Sequence, residues 1–269
     1  MEYIEAIYQA ADFIRARINI QPKLAIVLGT GMGEIANKMG NRQEIDYHDI
    51  PCFARSTVRF HAGKLIAGRF AGKEVIVMQG RYHYYEGYSM RTITLPIRVL
   101  HALGIRTLFL TNAVGGVSQK AAVGRIAMIC DHINFMGDNP LIGEYHKSLG
   151  ERFPDMSEPY CKRLQDIARR VARQHHIDLM ETVYAAISGP SFETAAEIRM
   201  LQKFGVDTVG MSVVPEVLVA RQLGMDVLAL SIITDQPLPQ QMRPTTHEEV
   251  NKIAKQTVPA MAKLLQDII

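Results

Sequence analysis

Two short stretches carry the side chains best suited to chemistry. The first, Gly189-Pro-Ser-Phe-Glu193, follows an apolar run over residues 183–187. The Gly-Pro pair stops a strand, and residues 193–204 then carry apolar side chains at helical spacing. The second stretch repeats the pattern: residues 206–209 read as a short strand, Gly210 lets the chain turn, and Pro215 suits the first turn of a helix. Ser191, Phe192, Glu193, Met211 and Ser212 therefore stand where strands give way to helices. Ligands of α/β sheets bind beyond the carboxyl ends of the strands. An acid, an aromatic, a thioether and a hydroxyl gathered there would line a mostly apolar pocket with a few aimed polar groups. The same spacing also fits a plain helix-start acid favoured by the helix dipole, with Phe192 and Met211 as core. Spacing alone leaves both readings open.

A second kind of chemistry, anion binding, is suggested further upstream. Gln79-Gly-Arg-Tyr-His-Tyr-Tyr-Glu-Gly-Tyr88 follows a strand-like run at residues 74–78. A buried strand does not continue into Arg, His, Glu and four tyrosines, so the string is a solvated loop or a polar pocket wall. We favour the wall, because Arg81 offers a planar donor fork for phosphate and His83 adds a donor. Gly29-Thr-Gly-Met-Gly33 follows the apolar strand 24–28 directly, so its amides and the Thr30 hydroxyl could approach an anion. A tight turn accounts for those glycines equally well. The dinucleotide fingerprint does not, since its third glycine would fall at Glu34. Thr111 to Gly116 reads as another strand end with paired glycines, after a strand at 107–110.

The elements that position these residues alternate in the α/β manner. An opening helix shows Ile4, Ile7, Tyr8, Ala11 and Ile14 on one face. Strands are expected at 56–60 and 65–70, with His61 in the loop between them and Gly72-Lys73 closing a hairpin into 74–78. A helix over 90–103, a strand over 125–130, a long irregular loop over 136–159 and a helix over 158–175 follow. Residues 227–233 form the last buried strand. The final helix starts at Thr246, whose spacing to Glu249 is that of a capping box. His247 is then a first-turn surface residue unless a ligand lies there.

With 269 residues, 48% of them hydrophobic, the chain can bury one large core, and we read residues 1–269 as a single α/β domain. The net charge of +3, from 30 basic and 27 acidic residues, is spread without a basic block. Neither nucleic acid nor membrane is therefore expected as a partner. Cys52, Cys130 and Cys161 suit neither a disulfide framework nor a zinc site, which points to a reducing cytoplasm and no metal. The start of the sequence carries acids rather than a basic signal-peptide region. No apolar run approaches the length of about twenty residues needed to span a bilayer.

Taken in order, these motifs resemble the trimeric, low-molecular-mass purine nucleoside phosphorylases. The resemblance runs through Gly29-Thr-Gly, Gly80 to Tyr88, Thr111-Asn-Ala, Asp131-His-Ile-Asn134, Gly189 to Thr194, Gly210 to Glu216 and His247-Glu-Glu-Val250. It implies a mixed, partly barrel-like central β-sheet flanked by helices, and phosphorolysis of purine nucleosides to free base and (deoxy)ribose 1-phosphate. By the same resemblance Thr30, His61, Arg81, His83, the Ala113 backbone and Ser212 would bind phosphate. Tyr85, Phe192, Glu193, Met211, Asp235 and His247 would hold the nucleoside, with His83, Glu193 and Asp235 catalytic and Glu86 orienting His83. Inorganic phosphate would be a co-substrate and no cofactor would be needed. The resemblance also implies a homotrimer.

Three positions depart from the family pattern. Arg59-Phe60 precede His61 where the family has a glycine. Leu149 stands where many members of the family carry an aromatic that reaches a neighbouring sugar site. Asp235 replaces the usual Asn. An ionised carboxylate only accepts hydrogen bonds, so Asp235 would suit a 6-amino group, whereas Glu193 suits the N1–H of a 6-oxopurine. One proton shared by the pair reconciles them, and we place it on Asp235, which favours inosine and guanosine. The competing readings are an adenosine-preferring or methylthio-nucleoside phosphorylase, the latter disfavoured by the polar His247, and a non-catalytic nucleoside sensor.

Overall fold

The computed structural model describes residues 2–58, 61–240 and 242–269. Arg59 and Phe60 lie outside the described residues. The strands are β1 (Leu24–Leu28), β2 (Gly40–Asp46), β3 (Lys64–Phe70), β4 (Lys73–Gln79), β5 (Thr107–Gly116), β6 (Ile126–Phe135), β7 (Leu179–Ile187), β8 (Thr208–Gly210) and β9 (Asp226–Asp235). The α-helices are α1 (Tyr3–Arg15), α2 (Met90–Ala102), α3 (Lys162–Gln174), α4 (Ala195–Lys203), α5 (Val214–Gln222) and α6 (His247–Ile268).

All nine described strands join one mixed sheet in the order β2-β3-β4-β1-β5-β8-β7-β6-β9, and β9 also pairs with β5. That last pairing closes β5, β8, β7, β6 and β9 into a ring. β1, β4, β5 and β9 run parallel, so their carboxyl ends share one rim. β8 runs antiparallel to β5 and meets it only at Gly115 and Gly116.

The layers follow from the side-chain alternation of the strands. In β1, Ala25 and Val27 face one core with Ile7 and Ile14 of α1, Val99 of α2 and Val217 of α5. Ile26 and Leu28 face the other with Val171 of α3 and Leu265 of α6. A strand buried on both faces must be apolar throughout, as this one is. A third cluster packs Ile198 and Leu201 of α4 against Ala185 of β7 and Val209 of β8.

Several details differ from the expectations. Tyr8 is 51% exposed, and the buried face of α1 is Ile7, Ala10, Ala11 and Ile14. Residues 56–58 are irregular rather than a strand. β5 does not end at residue 110: it pairs with β9 from Thr107↔Asp226 to Gly115↔Asp235, so its glycines lie inside the strand. The capping box of α6 forms as expected, with Thr246 Oγ accepting from the Glu249 N–H. Among the described residues no helix is long and apolar enough to cross a membrane.

Candidate active site

A cavity of about 250 Å³ opens on the shared rim. It is lined by Thr30 after β1, Arg81 and His83 after β4, residues 112–115 of β5, Met211 and Ser212 after β8, and Asp235 at the end of β9. Tyr85, Phe192, Glu193 and His247 complete the wall. Of the residues singled out in the sequence, His61, Glu86, Leu149 and Ser191 stand outside this lining; Ser191 lines a neighbouring cavity with Phe192 and Glu193. Glycine makes the close approach possible: a Cβ on Gly29 would lie 2.7 Å from the Thr111 carbonyl oxygen. Gly80 has φ +115°, and a Cβ there would lie 2.6 Å from the His61 Cβ.

Arg81 is 4% exposed and almost fully engaged. Its Nε lies 3.1 Å from both carboxylate oxygens of Glu216, and its Nη1 donates to the Thr111 carbonyl at 2.6 Å. Nη2, also buried, has no protein partner among the described residues. A buried donor without an acceptor is costly, so this atom marks where an anion would be held. The Asn112 Nδ2 is likewise buried and without a partner, while its Oδ1 accepts from Ser231 at 2.6 Å.

Beside Arg81, three rings stack: His61 on His83 with centroids 5.2 Å apart, and His83 on Tyr85 at 4.7 Å. His61 lies against the Arg81 backbone, with Nδ1 3.2 Å from its amide nitrogen, and its Nε2 is 3.5 Å from the Thr30 hydroxyl. It lines a smaller neighbouring cavity with Gly29, Gly31 and Gly33. Burial, helped by the charges of His83 and Arg81, lowers the His61 pKa to about 3, so the ring is neutral at neutral pH. Burial lowers the His83 pKa as well.

Glu86 holds this corner together, accepting from the His83 N–H at 2.6 Å and from the Thr57 N–H and hydroxyl at 2.8 and 2.5 Å. Its carboxylate also lies 3.3 Å from His83 Nδ1. Burial pushes the Glu86 carboxyl up, but these hydrogen bonds outweigh it and hold the pKa at about 2. Burial raises the Tyr85 pKa to about 12.

The opposite end of the cavity is acidic and apolar. Burial, with the Asp235 charge adding, raises the Glu193 pKa to about 7, and burial raises Asp235 too. Both carboxyls are thus biased toward the protonated form, the condition under which such a pair holds one proton between them. Asp235 Oδ1 lies 3.3 Å from the Thr234 hydroxyl. Phe192 is 49% exposed at the mouth, and Met211 lines the wall. His247 is half-buried as the first residue of α6 and faces the cavity rather than open solvent.

The sequence reading passed over Glu216 and Asn112. Glu216 left a faint signal, since an acid at the third position of a helix reads as an ordinary capping partner. On the loop 136–159, Leu149 is half-buried and packs against its own chain's core, whereas Phe153 is 89% exposed. The exposed aromatics of this loop are Phe153 and, at 40%, Tyr145.

The family model of the phosphorylase superfamily matches residues 23–269. Purine nucleoside phosphorylase 1 of Bacillus subtilis is 44% identical over 265 residues, covering 98% of each chain. A purine nucleoside phosphorylase of Schistosoma in complex with hypoxanthine superposes with a TM-score of 0.94 at 36% identity, covering 98% of this chain and 96% of the other. The Schistosoma mansoni enzyme in complex with adenosine gives the same TM-score, identity and coverage.

Proposed function

The chain belongs to the phosphorylase superfamily, and from that premise we propose that it cleaves purine nucleosides with inorganic phosphate, yielding the free base and (deoxy)ribose 1-phosphate. One observation carries the reading: a single cavity has a donor end, where the buried Arg81 Nη2 lacks a protein partner, and a carboxyl end formed by Glu193 and Asp235. Phosphate and base would occupy those ends, with the sugar between them.

In this reading Arg81, His83, Thr30, Ser212 and the Ala113 amide fix the phosphate below the anomeric carbon, and His61 supports them through Thr30. Phosphate is a weak nucleophile, so its fixed position and charge do the work: they favour attack and stabilise the oxocarbenium character of the ribosyl group. Phe192, Met211 and Tyr85 hold the base and sugar faces, and His247 meets the 5′-hydroxyl end. Glu193 takes the N1–H of a 6-oxopurine, while Asp235 meets its 6-position and N7 edge and restrains the leaving base. Help of this kind to a leaving group is worth about a hundredfold to ten-thousandfold. Glu86 orients His83.

Inosine and guanosine are the proposed main substrates, with adenosine admitted when Glu193 carries a proton. We read residues 1–269 as one domain acting in the cytoplasm, consistent with three cysteines that form no disulfide. A homotrimer is the proposed assembly. Two separate apolar surfaces support it: Phe153, Ile142 and Tyr145 on the long loop, and Phe135, Met200 and Phe204 beside the base end of the cavity. Two different patches on one chain suit a head-to-tail ring, in which Phe153 would meet the neighbouring site.

The test is a panel of inosine, guanosine, xanthosine, adenosine and methylthioadenosine, each with and without phosphate. Base release that requires phosphate is expected, fastest with inosine and guanosine at neutral pH. Release without phosphate would indicate a hydrolase, and no release would indicate a nucleoside sensor.

A further inference from the structure

Glu216 touches neither end of the cavity, yet it joins two groups proposed to hold phosphate. Its carboxylate accepts from Arg81 Nε with both oxygens at 3.1 Å, and its Oε2 also accepts from the Val213 N–H at 3.1 Å. Both side chains of the ion pair are buried, 4% exposed for Arg81 and 9% for Glu216.

Val213 is the unusual partner, with φ +72° and ψ −55° in a β-branched residue. The Val214 N–H donates to the Ser212 carbonyl at 2.8 Å, so Ser212-Val213-Val214 form a γ-turn of the positive-φ kind. That turn is rare and strained, and a β-branched residue in it persists only when its surroundings over-determine it. Two contacts do so. The fully buried Tyr184 hydroxyl donates to the Ser212 carbonyl at 3.0 Å from one side, and Glu216 holds the Val213 N–H from the other.

We propose that Glu216 is the positioning residue of the phosphate site, setting the Arg81 guanidinium and the Ser212 turn in one fixed relation before phosphate arrives. With Nε on Glu216 and Nη1 on the Thr111 carbonyl, the guanidinium plane has no free rotation, and Nη2 is left for the ligand. The carboxylate also pairs a cation that would otherwise be buried alone, which is strongly unfavourable. Through Val213 it keeps the Ser212 hydroxyl on the same side of the cavity. Glu216 acts through Arg81 and Ser212 rather than on the reacting atoms.

This role rests on the phosphate site proposed above, and the test separates the two. Glu216→Gln keeps the size and loses the charge: its amide oxygen can still accept from the Val213 N–H and Arg81 Nε, but an NH2 group replaces the second acceptor oxygen facing Arg81. The KM for phosphate should rise about 10- to 100-fold, the range of a lost charged hydrogen bond. The inosine dissociation constant in phosphate-free buffer should stay within about twofold, and Glu216→Asp should recover part of the phosphate affinity. Equal losses for both substrates, or a wild-type phosphate KM, would overturn the positioning role. Wild-type cleavage that ignores phosphate would instead overturn the reading of the site. Should the variants fail to fold, nitrogen-15 spectra of the wild type decide, with the Arg81 Nε–H signal assigned by its loss in Arg81→Lys. A slowly exchanging signal before phosphate is added supports the role; one that appears only with phosphate refutes it.

Discussion

The balance between 6-oxo and 6-amino substrates should swing with pH, and Glu193 sets the size of the swing. A carboxyl whose pKa is raised stays protonated below that pKa and ionises above it. With a pKa of about 7, Glu193 is about one-tenth ionised at pH 6 and about nine-tenths at pH 8. The ionised form accepts the N1–H of inosine, and the protonated form donates to N1 of adenosine. Because kcat/KM reports ionisations of the free enzyme, the value for inosine should rise about tenfold from pH 6 to 8. That for adenosine should fall by about the same factor, so their ratio moves about a hundredfold. Asp235→Asn removes the charge that helps raise Glu193, so the acid limb should shift to lower pH, and adenosine turnover should drop as a neutral amide replaces the charged acceptor. Initial rates for both nucleosides at saturating phosphate, from pH 5.5 to 9, suffice as the assay. A ratio that changes less than about threefold between pH 6 and 8, or an acid limb that survives in Glu193→Gln, would refute this reasoning.

Arg81→Ala should lower kcat/KM for phosphate at least about 10- to 100-fold, since a charged hydrogen bond is worth about 1.5–3 kcal/mol. Nucleoside binding measured without phosphate should be spared, and equal weakening would contradict the assignment. Glu86→Gln should cost less than His83→Ala, and no acid limb should trace to Glu86, whose pKa of about 2 keeps it ionised throughout; equal kinetics for both variants and the wild type would refute the pair. Phe153→Ala should raise the nucleoside KM with little change in Tm. Leu149→Ala should instead lower Tm by a few degrees, about 1 kcal/mol of lost packing, and leave KM alone. The reverse pattern, with light scattering showing a trimer, would put Leu149 rather than Phe153 at the neighbouring site.

Much of the scaffold was legible in the sequence because its strongest patterns have local causes. β1 is apolar at every position because helices cover both of its faces, and the α6 start was announced by Thr246 and Glu249. Thr30, Arg81, Glu193, Met211 and Ser212 could be named because they follow a glycine or proline that ends an apolar run, whereas Tyr85, Asp235 and His247 came from the family resemblance. What stayed hidden depended on partners distant in the chain. β2, with the sequence Gly-Asn-Arg-Gln-Glu-Ile-Asp, lacks a buried face that would impose alternation. The glycines of β5 look like a strand end until β9 pairs beside them. Glu216 looks like a helix cap, and only the fold brings Arg81 to it across 135 positions of sequence.

The ring of strands also bears on how the molecule avoids its own kind. Pairing β9 back onto β5 removes an exposed strand edge, so among the described residues β2 is the only strand with a single neighbour. An open edge is a template for joining another chain. Here Ile45 is its one buried residue, and it carries Arg42, Glu44 and Asp46. It is also irregular in register between Gly40 and Gln43. Arg42 and Lys64 both pair with Glu44, which sets charges of both signs along the rim that an incoming strand would have to desolvate. Resistance to edge-to-edge aggregation is therefore concentrated in one polar strand that builds no part of the cavity, where apolar substitutions would leave catalysis intact while making the protein adhesive.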